Sequence, residues 1–368
     1  MNSYESIFKE MGESARAASI VLQQLPEVRI NEILCDMADA LVQHSEQILT
    51  ANHMDMDSAR GVVPDTMLDR LLLSKDRIHQ MAEGVRQVSL LPSPVGTVLE
   101  NIDRPNGLHI EKRAVPFGVI GIIFEARPNV TVDAGALCFK TANATILRGG
   151  KEAFRTNRII VSLMQDVLEA HDLPRAAIQL VEVLDREAVS VLLQQRRYID
   201  VVIPRGGAGL IQRVVRDSMI PVIETGSGVC HTYVDAEANI DMAVDIAVNA
   251  KVQRPSVCNS METLLVHSSI AKEFLLALET KLAHHHVTIH GTPEVLQIVN
   301  GVAVDDNSFG TEYNDFDLNV AIVSSLDDAI LHINRYTTHH SEAIVTDDVA
   351  YQMVSCISAL IDAKTPLM

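Results

Sequence analysis

The sequence predicts an α/β protein of two domains with mostly parallel sheets. Short apolar runs such as "GVIGIIF", "ATILRGG", "AIQLVEV" and "YIDVVIP" alternate with helical segments from Val115 onward. This alternation is typical of βα units whose strands are buried on both faces. The length of 368 residues also exceeds the size at which one hydrophobic core usually stops growing. The simplest division places one domain at 1–224 and a second at 225–354.

The segment before the alternating region predicts a helical layer followed by a hairpin. Between residues 5 and 92, apolar residues recur at three- and four-residue intervals, which indicates amphipathic helices. The stretches "VGTVLENI" and "GLHIEKRAV" then alternate apolar and polar residues around "DRPNG", where Pro105 and Gly107 suit a turn. We therefore expect a two-stranded hairpin at about 96–115.

Composition and charge exclude several classes of function. Apolar residues make up 47% and charged residues 21%, and no apolar window approaches the roughly 18 residues of a membrane span. The N-terminal residues show no secretory signal, so we expect a soluble, cytoplasmic protein. A net charge of -18 disfavours nucleic acids and anionic membranes as partners. Any anionic ligand must therefore be met by local cations.

The cysteines and histidines give no signal for a disulfide framework or a metal site. The five cysteines are widely scattered and form no CxxC pair, which favours reduced thiols. The run "HHH" at 284–286 invites a metal hypothesis, but three consecutive histidines do not share one helical face. A solvated helix end is favoured, and we expect no metal.

Two glycine loops that follow predicted strands are candidates for binding an anion. The fingerprint GxGxxG is missing, but "ILRGGKEAFR" places Arg148 and Lys151 around a glycine turn. Cations at such a turn suit a ribose or a 2′-phosphate. The loop "VIPRGGAGLIQRV" repeats the design, with Gly206, Gly207 and Gly209 before a helix. The alternative for each loop is that its glycines only form a turn.

Cys258 lies on a polar, proline-broken turn, "VQRPSVCNSMETLLVH", between a helix and a strand. Nearby cations such as Lys251 and Arg254 would favour the reactive thiolate. The alternative is a small buried hydrophobic residue, which is our interpretation of Cys35 and Cys138. Cys230 adjoins His231, but adjacent residues in an extended segment point to opposite faces, so structural packing is favoured for Cys230.

Two polar residues lie at the ends of predicted strands. In "FEARPNVTVDAGAL", Asn129 follows a buried strand and leads into a helix. Its amide either caps that helix or donates to a developing oxyanion. Glu224 ends the strand "PVIET" near the domain boundary, where a carboxylate is a general base, a ribose ligand or a cap.

Together these segments resemble the γ-glutamyl phosphate reductase family, a branch of the aldehyde dehydrogenase superfamily. The resemblance lies in "EARPNVTVDAGALCFKTANATILRGGKEA", "YIDVVIPRGGAGL", "GVCHTYVD", "NAKVQRPSVCNSMETLLV" and "DLNVAIV". It implies an aldehyde dehydrogenase-like fold with a protruding oligomerisation hairpin at 96–115. It also implies that 1–224 is the NADP-binding domain and 225–354 the catalytic domain.

The resemblance assigns roles to residues of this chain. It makes Cys258 the nucleophile and Asn129 the oxyanion donor. Arg127 and Arg254 are our candidates for the anionic groups of the substrate. The positions implied for binding NADP are Arg148, Lys151, Arg205, Gly206, Gly207, Gly209 and Glu224.

The implied reaction is the reduction of L-glutamyl 5-phosphate by NADPH to L-glutamate 5-semialdehyde, with release of phosphate. This is the second step of proline biosynthesis. The implied partners are further copies of the same chain and, functionally, glutamate 5-kinase. A hydrolytic aldehyde dehydrogenase is an alternative, and it would use Glu224 as its base.

The last residues depart from the family pattern. From about Ser355 the sequence "SCISALIDAKTPLM" does not match, so 355–368 is interpreted as an unmatched tail and the second domain as incomplete. A truncated, noncatalytic remnant or interaction protein is therefore a further alternative.

Overall fold

The chain divides near residue 225 into two units. The computed structural model describes residues 3–63, 65–224, 228–305 and 307–348. One unit spans Met1–Thr225 and the other spans Gly226–Met368. The predicted tail at 355–368 lies outside the described residues.

The first unit begins with five helices whose apolar stripes are buried. In α2, for example, the buried residues Ile30, Ile33, Leu34, Met37 and Leu41 follow the helical repeat. The side chain of Ser74 accepts the N–H of Arg77 and starts the last of the five. These helices are α1 (Ser3–Leu22), α2 (Glu27–Gln43), α3 (Ser45–Ala59), α4 (Asp65–Leu71) and α5 (Lys75–Leu90).

A hairpin follows the helices within the predicted stretch. Strands β1 (Val98–Asp103) and β2 (His109–Arg113) pair antiparallel, and Gly107 in their turn has a φ of 84°. Apart from the half-buried Ile102, every residue of the two strands is exposed. Neither face of the hairpin is therefore covered by the residues that the structure describes, and its role in oligomerisation stays a prediction.

The remainder of the first unit is a parallel sheet in the order β5-β4-β3-β6. All six residues of β3 are buried, as its apolar run predicts. The elements in chain order are β3 (Val119–Phe124), α6 (Pro128–Lys140), β4 (Ala144–Arg148), α7 (Phe154–Ala170), β5 (Ile178–Leu180), α8 (Arg186–Leu192), β6 (Val201–Arg205) and α9 (Ala208–Asp217). The predicted strand "PVIET" is reduced to one bridge, in which Val222 pairs with Val202.

The second unit is a six-stranded sheet in the order β10-β9-β11-β8-β7-β12, and every neighbouring pair is parallel. Its elements are β7 (Cys230–Val234), α10 (Ile240–Val252), β8 (Met261–His267), α11 (Ala271–Ala283), β9 (Thr288–Gly291), α12 (Pro293–Leu296), β10 (Val302–Ala303), β11 (Asp317–Val323), α13 (Leu326–Tyr336) and β12 (Glu342–Val345). The α/β class with mostly parallel sheets is thus confirmed. Among the described residues, no helix has the length and hydropathy of a membrane span.

Candidate active site

Three loops meet at the carboxyl edge of the first unit's sheet. They follow β3, β4 and β6, since parallel strands end at the same edge. A Cβ on Gly150 would lie 3.2 Å from the backbone nitrogen of Ala126, and a Cβ on Gly206 would lie 2.7 Å from Cδ of Glu125. The two predicted glycine loops are therefore packed against the segment that leads to Asn129.

A cavity of about 550 Å³ opens beside these loops. Arg148 and Lys151 both line it, and Lys151 also lines a neighbouring cavity of about 480 Å³. A volume of this size suits a small-molecule or cofactor site. The wall further includes Phe124, Glu125, Gly150, Leu184, Asp185, Leu210 and Arg213.

Arg148 is anchored to the wall of this cavity. Its guanidinium donates to the carbonyls of Gly149 and Leu184, each over 2.9 Å. Its buried Nε has no partner among the described residues. Burial lowers the pKa of Arg148; the nearby charge of Glu152 opposes this shift, and that of Arg213 adds to it. Arg148 thus offers one orphaned donor, while the exposed Lys151 is the more adaptable cation.

The second glycine loop meets a carboxylate of the chain itself. The N–H of Gly207, at the start of α9, donates to Oε2 of Glu125 over 3.1 Å. Arg205 is the last residue of β6 and is exposed. Gly209 lies in the first turn of α9, and a Cβ built there would meet nothing within 4 Å. The predicted anion position at this helix N-terminus is therefore filled by Glu125.

Asn129 lies exposed in the first turn of α6, two residues after the half-buried Arg127. Its Nδ2 donates to Oδ2 of Asp133 over 3.2 Å, and the side chain does not cap the helix. Burial raises the pKa of Asp133, while the Asn129 hydrogen bond and the charge of Arg205 oppose that rise. The amide is thus held at the same edge as the glycine loops. Glu224, two residues beyond the Val222 bridge, is also exposed.

Cys258 lies in the second unit on two successive turns between α10 and β8. The N–H of Val257 donates to the carbonyl of Arg254 over 3.2 Å, and the N–H of Ser260 donates to that of Val257 over 3.0 Å. Cys258 is the first central residue of the second turn. Of the cysteines in the described part of the chain, Cys258 is the exposed one, whereas Cys138 and Cys230 are buried and Cys35 is half-buried.

Within the part of the chain that the structure describes, the backbone N–H of Cys258 donates to no acceptor. In contrast, burial raises the pKa of the Cys138 thiol to about 12, and burial also raises the pKa of Cys230. Cys258 itself is exposed, so the alternative that it is a small buried hydrophobic residue is wrong.

Lys251 differs from the expectation that its charge favours the Cys258 thiolate. It is fully buried, and its Nζ lies 2.8 Å from Oε2 of Glu262. Glu262 also accepts the N–H of Asn314 over 3.2 Å, and burial raises its pKa to about 7. This ion pair joins the end of α10 to the start of β8 and so braces the cysteine turn. Arg254 is exposed within the turn itself.

Metal ligation has no support in the described residues. Across 3–63, 65–224, 228–305 and 307–348, no group of three His, Cys, Asp or Glu side chains is arranged to hold a metal ion. His284, His285 and His286 are exposed at the end of α11.

Sequence reasoning missed two features of the first unit. Glu125 follows a buried strand just as Asn129 does, so the rule that marked Asn129 would also have marked Glu125. Arg213 lies on α9 beyond the glycine loop, and no local signal in the sequence shows that it faces the cavity.

The fold and the site define an aldehyde dehydrogenase family protein. The model of the aldehyde dehydrogenase family matches residues 3–297. An acetylating aldehyde dehydrogenase from Geobacillus thermoglucosidasius, 17% identical, has a TM-score of 0.69 over 96% of this chain and 84% of its own. At that identity the likeness shows the fold alone.

Closer relatives narrow the family. The γ-glutamyl phosphate reductase of Moorella thermoacetica is 50% identical over 354 residues, which cover 96% of this chain and 84% of that protein. The crystal structure of γ-glutamyl phosphate reductase from Thermotoga maritima is 38% identical, with a TM-score of 0.87 over 95% of this chain and 85% of its own. The chain belongs to the γ-glutamyl phosphate reductase family, and the resemblance found in the sequence is confirmed.

Proposed function

We propose that the chain reduces L-glutamyl 5-phosphate to L-glutamate 5-semialdehyde with NADPH and releases phosphate, as in proline biosynthesis. The observation that carries the proposal is the exposed Cys258 on its paired turns, in a chain 50% identical to a named γ-glutamyl phosphate reductase. An accessible thiol is what covalent acyl transfer requires.

The residues at the carboxyl edge of the first sheet fit a nicotinamide dinucleotide. The buried Nε of Arg148 has no acceptor among the described residues, and Gly150 and Gly206 add no side chain of their own to this edge. Lys151 would meet a 2′-phosphate, and Arg205, Gly206, Gly207 and Gly209 would hold phosphate groups once Glu125 releases the Gly207 N–H. When bound there, NADPH supplies a hydride.

The covalent step belongs to Cys258. Its thiolate attacks the carbonyl carbon of the acyl phosphate, phosphate leaves with the electrons of the C–O bond, and a thioester remains. The N–H of Cys258, which has no acceptor among the described residues, would donate to the oxyanion that forms during attack, and the family resemblance gives the amide of Asn129 the same role. The tetrahedral anion left after reduction then collapses to the aldehyde: its oxygen re-forms the carbonyl bond, the C–S bond breaks, and Cys258 leaves as thiolate.

Local cations are needed for the substrate's anionic groups. The net charge of -18 gives the chain no general attraction for anions. Arg127 lies beside Asn129, and Arg254 lies on the Cys258 turn, so each is near a proposed reacting group within its own unit. Phosphate is a good leaving group, so Glu224 is not needed as a hydrolytic base.

Self-association is part of the proposal. The hairpin exposes Leu99 at 61%, Leu108 at 54% and Ile110 at 38%, and among the described strands β1 and β2 pair only with each other. Burial of these side chains against further copies of the chain would explain the pattern. Glutamate 5-kinase is the proposed functional partner, since the acyl phosphate must come from a kinase.

The dependence on phosphate tests the proposed reaction. Glutamate 5-semialdehyde and NADP are mixed with the enzyme, and the formation of NADPH is followed with and without inorganic phosphate. We expect turnover only with phosphate, and at saturating NADP we expect Glu224→Gln to retain this phosphate-dependent turnover, even if its KM for NADP rises. Turnover without phosphate that is lost in Glu224→Gln would instead establish a hydrolytic aldehyde dehydrogenase.

A further inference from the structure

The segment that leads into β7 lies directly against the cysteine turn. A Cβ built on Gly228 would lie 1.6 Å from the carbonyl oxygen of Cys258, 2.6 Å from its carbonyl carbon and 3.1 Å from its Cα. No real side chain tolerates such contacts with backbone atoms. Gly228 therefore permits an approach that any other residue would block.

The same carbonyl is held by a second residue of this segment. The thiol of Cys230 donates to the carbonyl oxygen of Cys258 over 3.2 Å. Cys230 is buried, and burial raises its pKa, so its sulfur keeps the proton that this hydrogen bond needs. The sulfur also lies 3.2 Å from the hydroxyl of Ser341.

The segment from Gly228 to His231, which contacts the Cys258 carbonyl, is held by hydrogen bonds to other side chains of the second unit. The N–H of Gly228 donates to Oε1 of Glu312 over 2.9 Å, and the N–H of Val229 donates to the hydroxyl of Thr338 over 3.0 Å. The N–H of His231 donates to Oε2 of Glu342 over 2.7 Å. Three backbone N–H groups between residues 228 and 231 thus donate to side chains and anchor the segment that contacts the Cys258 carbonyl.

We propose that Gly228 and Cys230 are positioning residues for the nucleophile. Gly228 packs against the carbonyl of Cys258, and the Cys230 thiol donates to it. The two turn hydrogen bonds hold Val257 and Ser260, the residues that flank the Cys258 peptide. The directions of the Cys258 thiol and N–H are therefore set before substrate binds. The inference rests on the proposed function, because it takes Cys258 as the nucleophile.

The main test replaces Gly228 with alanine and uses Gly310→Ala as its matched control. Gly310 lies in the same unit, and a Cβ there meets nothing within 4 Å. The measurements are the kcat of phosphate-dependent semialdehyde oxidation, the KM for NADP, and the rate of Cys258 alkylation by iodoacetamide, with the site located by mass spectrometry. Thermal melting gives the folded fraction.

If the added methyl group displaces the Cys258 peptide, kcat, the KM for NADP and the alkylation rate should respond differently. In Gly228→Ala, we expect kcat per folded molecule to fall by about 10²-fold, since an error of about 1 Å in a reacting group has that cost. The KM for NADP should stay unchanged, and the alkylation rate should change by about threefold or more. Gly310→Ala should match the parent in all three. Parental kcat and alkylation in folded Gly228→Ala would overturn the inference.

Variants of Cys230 keep the inference testable if Gly228→Ala does not fold. Cys230→Ser retains a hydroxyl donor and should keep the parental kcat, whereas Cys230→Ala should lower kcat by about threefold, the loss of one weak hydrogen bond. Equal behaviour of the two variants would overturn the role of Cys230. If Cys258→Ala is fully active, the proposed mechanism fails. The alkylation rate of Cys258 in Gly228→Ala would still show whether Gly228 positions the Cys258 side chain.

Discussion

The carboxylate of Glu125 accepts the backbone N–H of Gly207 over 3.1 Å and so occupies the start of α9. Both residues follow neighbouring strands of one parallel sheet, β3 and β6. A helix N-terminus attracts negative charge, and here the chain supplies that charge from its own loop. A phosphate group of a cofactor would have to displace it.

Neutralising Glu125 should therefore tighten the binding of NADPH. Glu125→Gln removes the competing charge while keeping a similar shape, and we expect the Kd for NADPH to fall by roughly two- to fivefold, the size of helix-terminus effects. Fluorescence titration of NADPH measures this directly. A weaker Kd in the variant would mean that Glu125 supports the loop instead of competing with the ligand.

Lys151 is expected to distinguish the two nicotinamide cofactors. It is exposed at the cavity wall, and a cation there favours the 2′-phosphate that NADPH has and NADH lacks. Lys151→Ala should raise the Kd for NADPH several-fold more than the Kd for NADH, in the same titration. Lys75→Ala is the control, because Lys75 pairs with Glu46 and is not in that cavity wall. Equal losses for both cofactors would remove Lys151 from this role.

Asn129 is expected to act on turnover and not on cofactor binding. An oxyanion donor stabilises the transition state, so Asn129→Ala should lower kcat by about 10²-fold or more. The Kd for NADPH should stay within about twofold of the parent. Asn106→Ala, at the exposed hairpin turn, should have no effect on either quantity. A normal kcat in folded Asn129→Ala would show that the amide serves only its hydrogen bond to Asp133.

The sequence predicted what depends on local pattern and missed what depends on long-range packing. The buried run of β3 and the exposed Cys258 turn follow from periodicity and from Pro255, and the structure has both. The partner of Lys251 was missed, because local sequence does not show that its charge is buried against Glu262. The packing of Gly228 on Cys258 joins residues thirty positions apart, which no local rule detects.

The helix boundaries also show which features local sequence can predict and which it cannot. Between residues 29 and 60 the sequence contains no Pro or Gly to mark a helix end, but the structure ends α2 and begins α3 at His44, which has a φ of -102° and a ψ of 21°. The break at Ser74 was accessible from sequence, because serine is a preferred N-cap.

His332 is expected to make the second unit sensitive to acid. Burial, together with the nearby charges of His231 and Arg335, lowers the pKa of His332 from 6.5 to about 4. Between these values the unfolded chain binds a proton that the folded chain does not, so stability should fall as the pH drops from 6.5 to 4. His332→Phe keeps an aromatic ring beside Phe309 and Tyr336 and should lose less stability. Chemical denaturation at pH 7 and pH 5 measures the difference; identical losses would contradict it.

The central claim is that Cys258 carries the acyl group, and the kcat of Cys258→Ala in phosphate-dependent oxidation of glutamate 5-semialdehyde by NADP tests it most directly. We expect turnover to be abolished, because no thioester forms without the thiol. Cys35→Ala, at a half-buried helical position, should retain parental turnover. Near-parental turnover in a folded Cys258→Ala protein would contradict the claim.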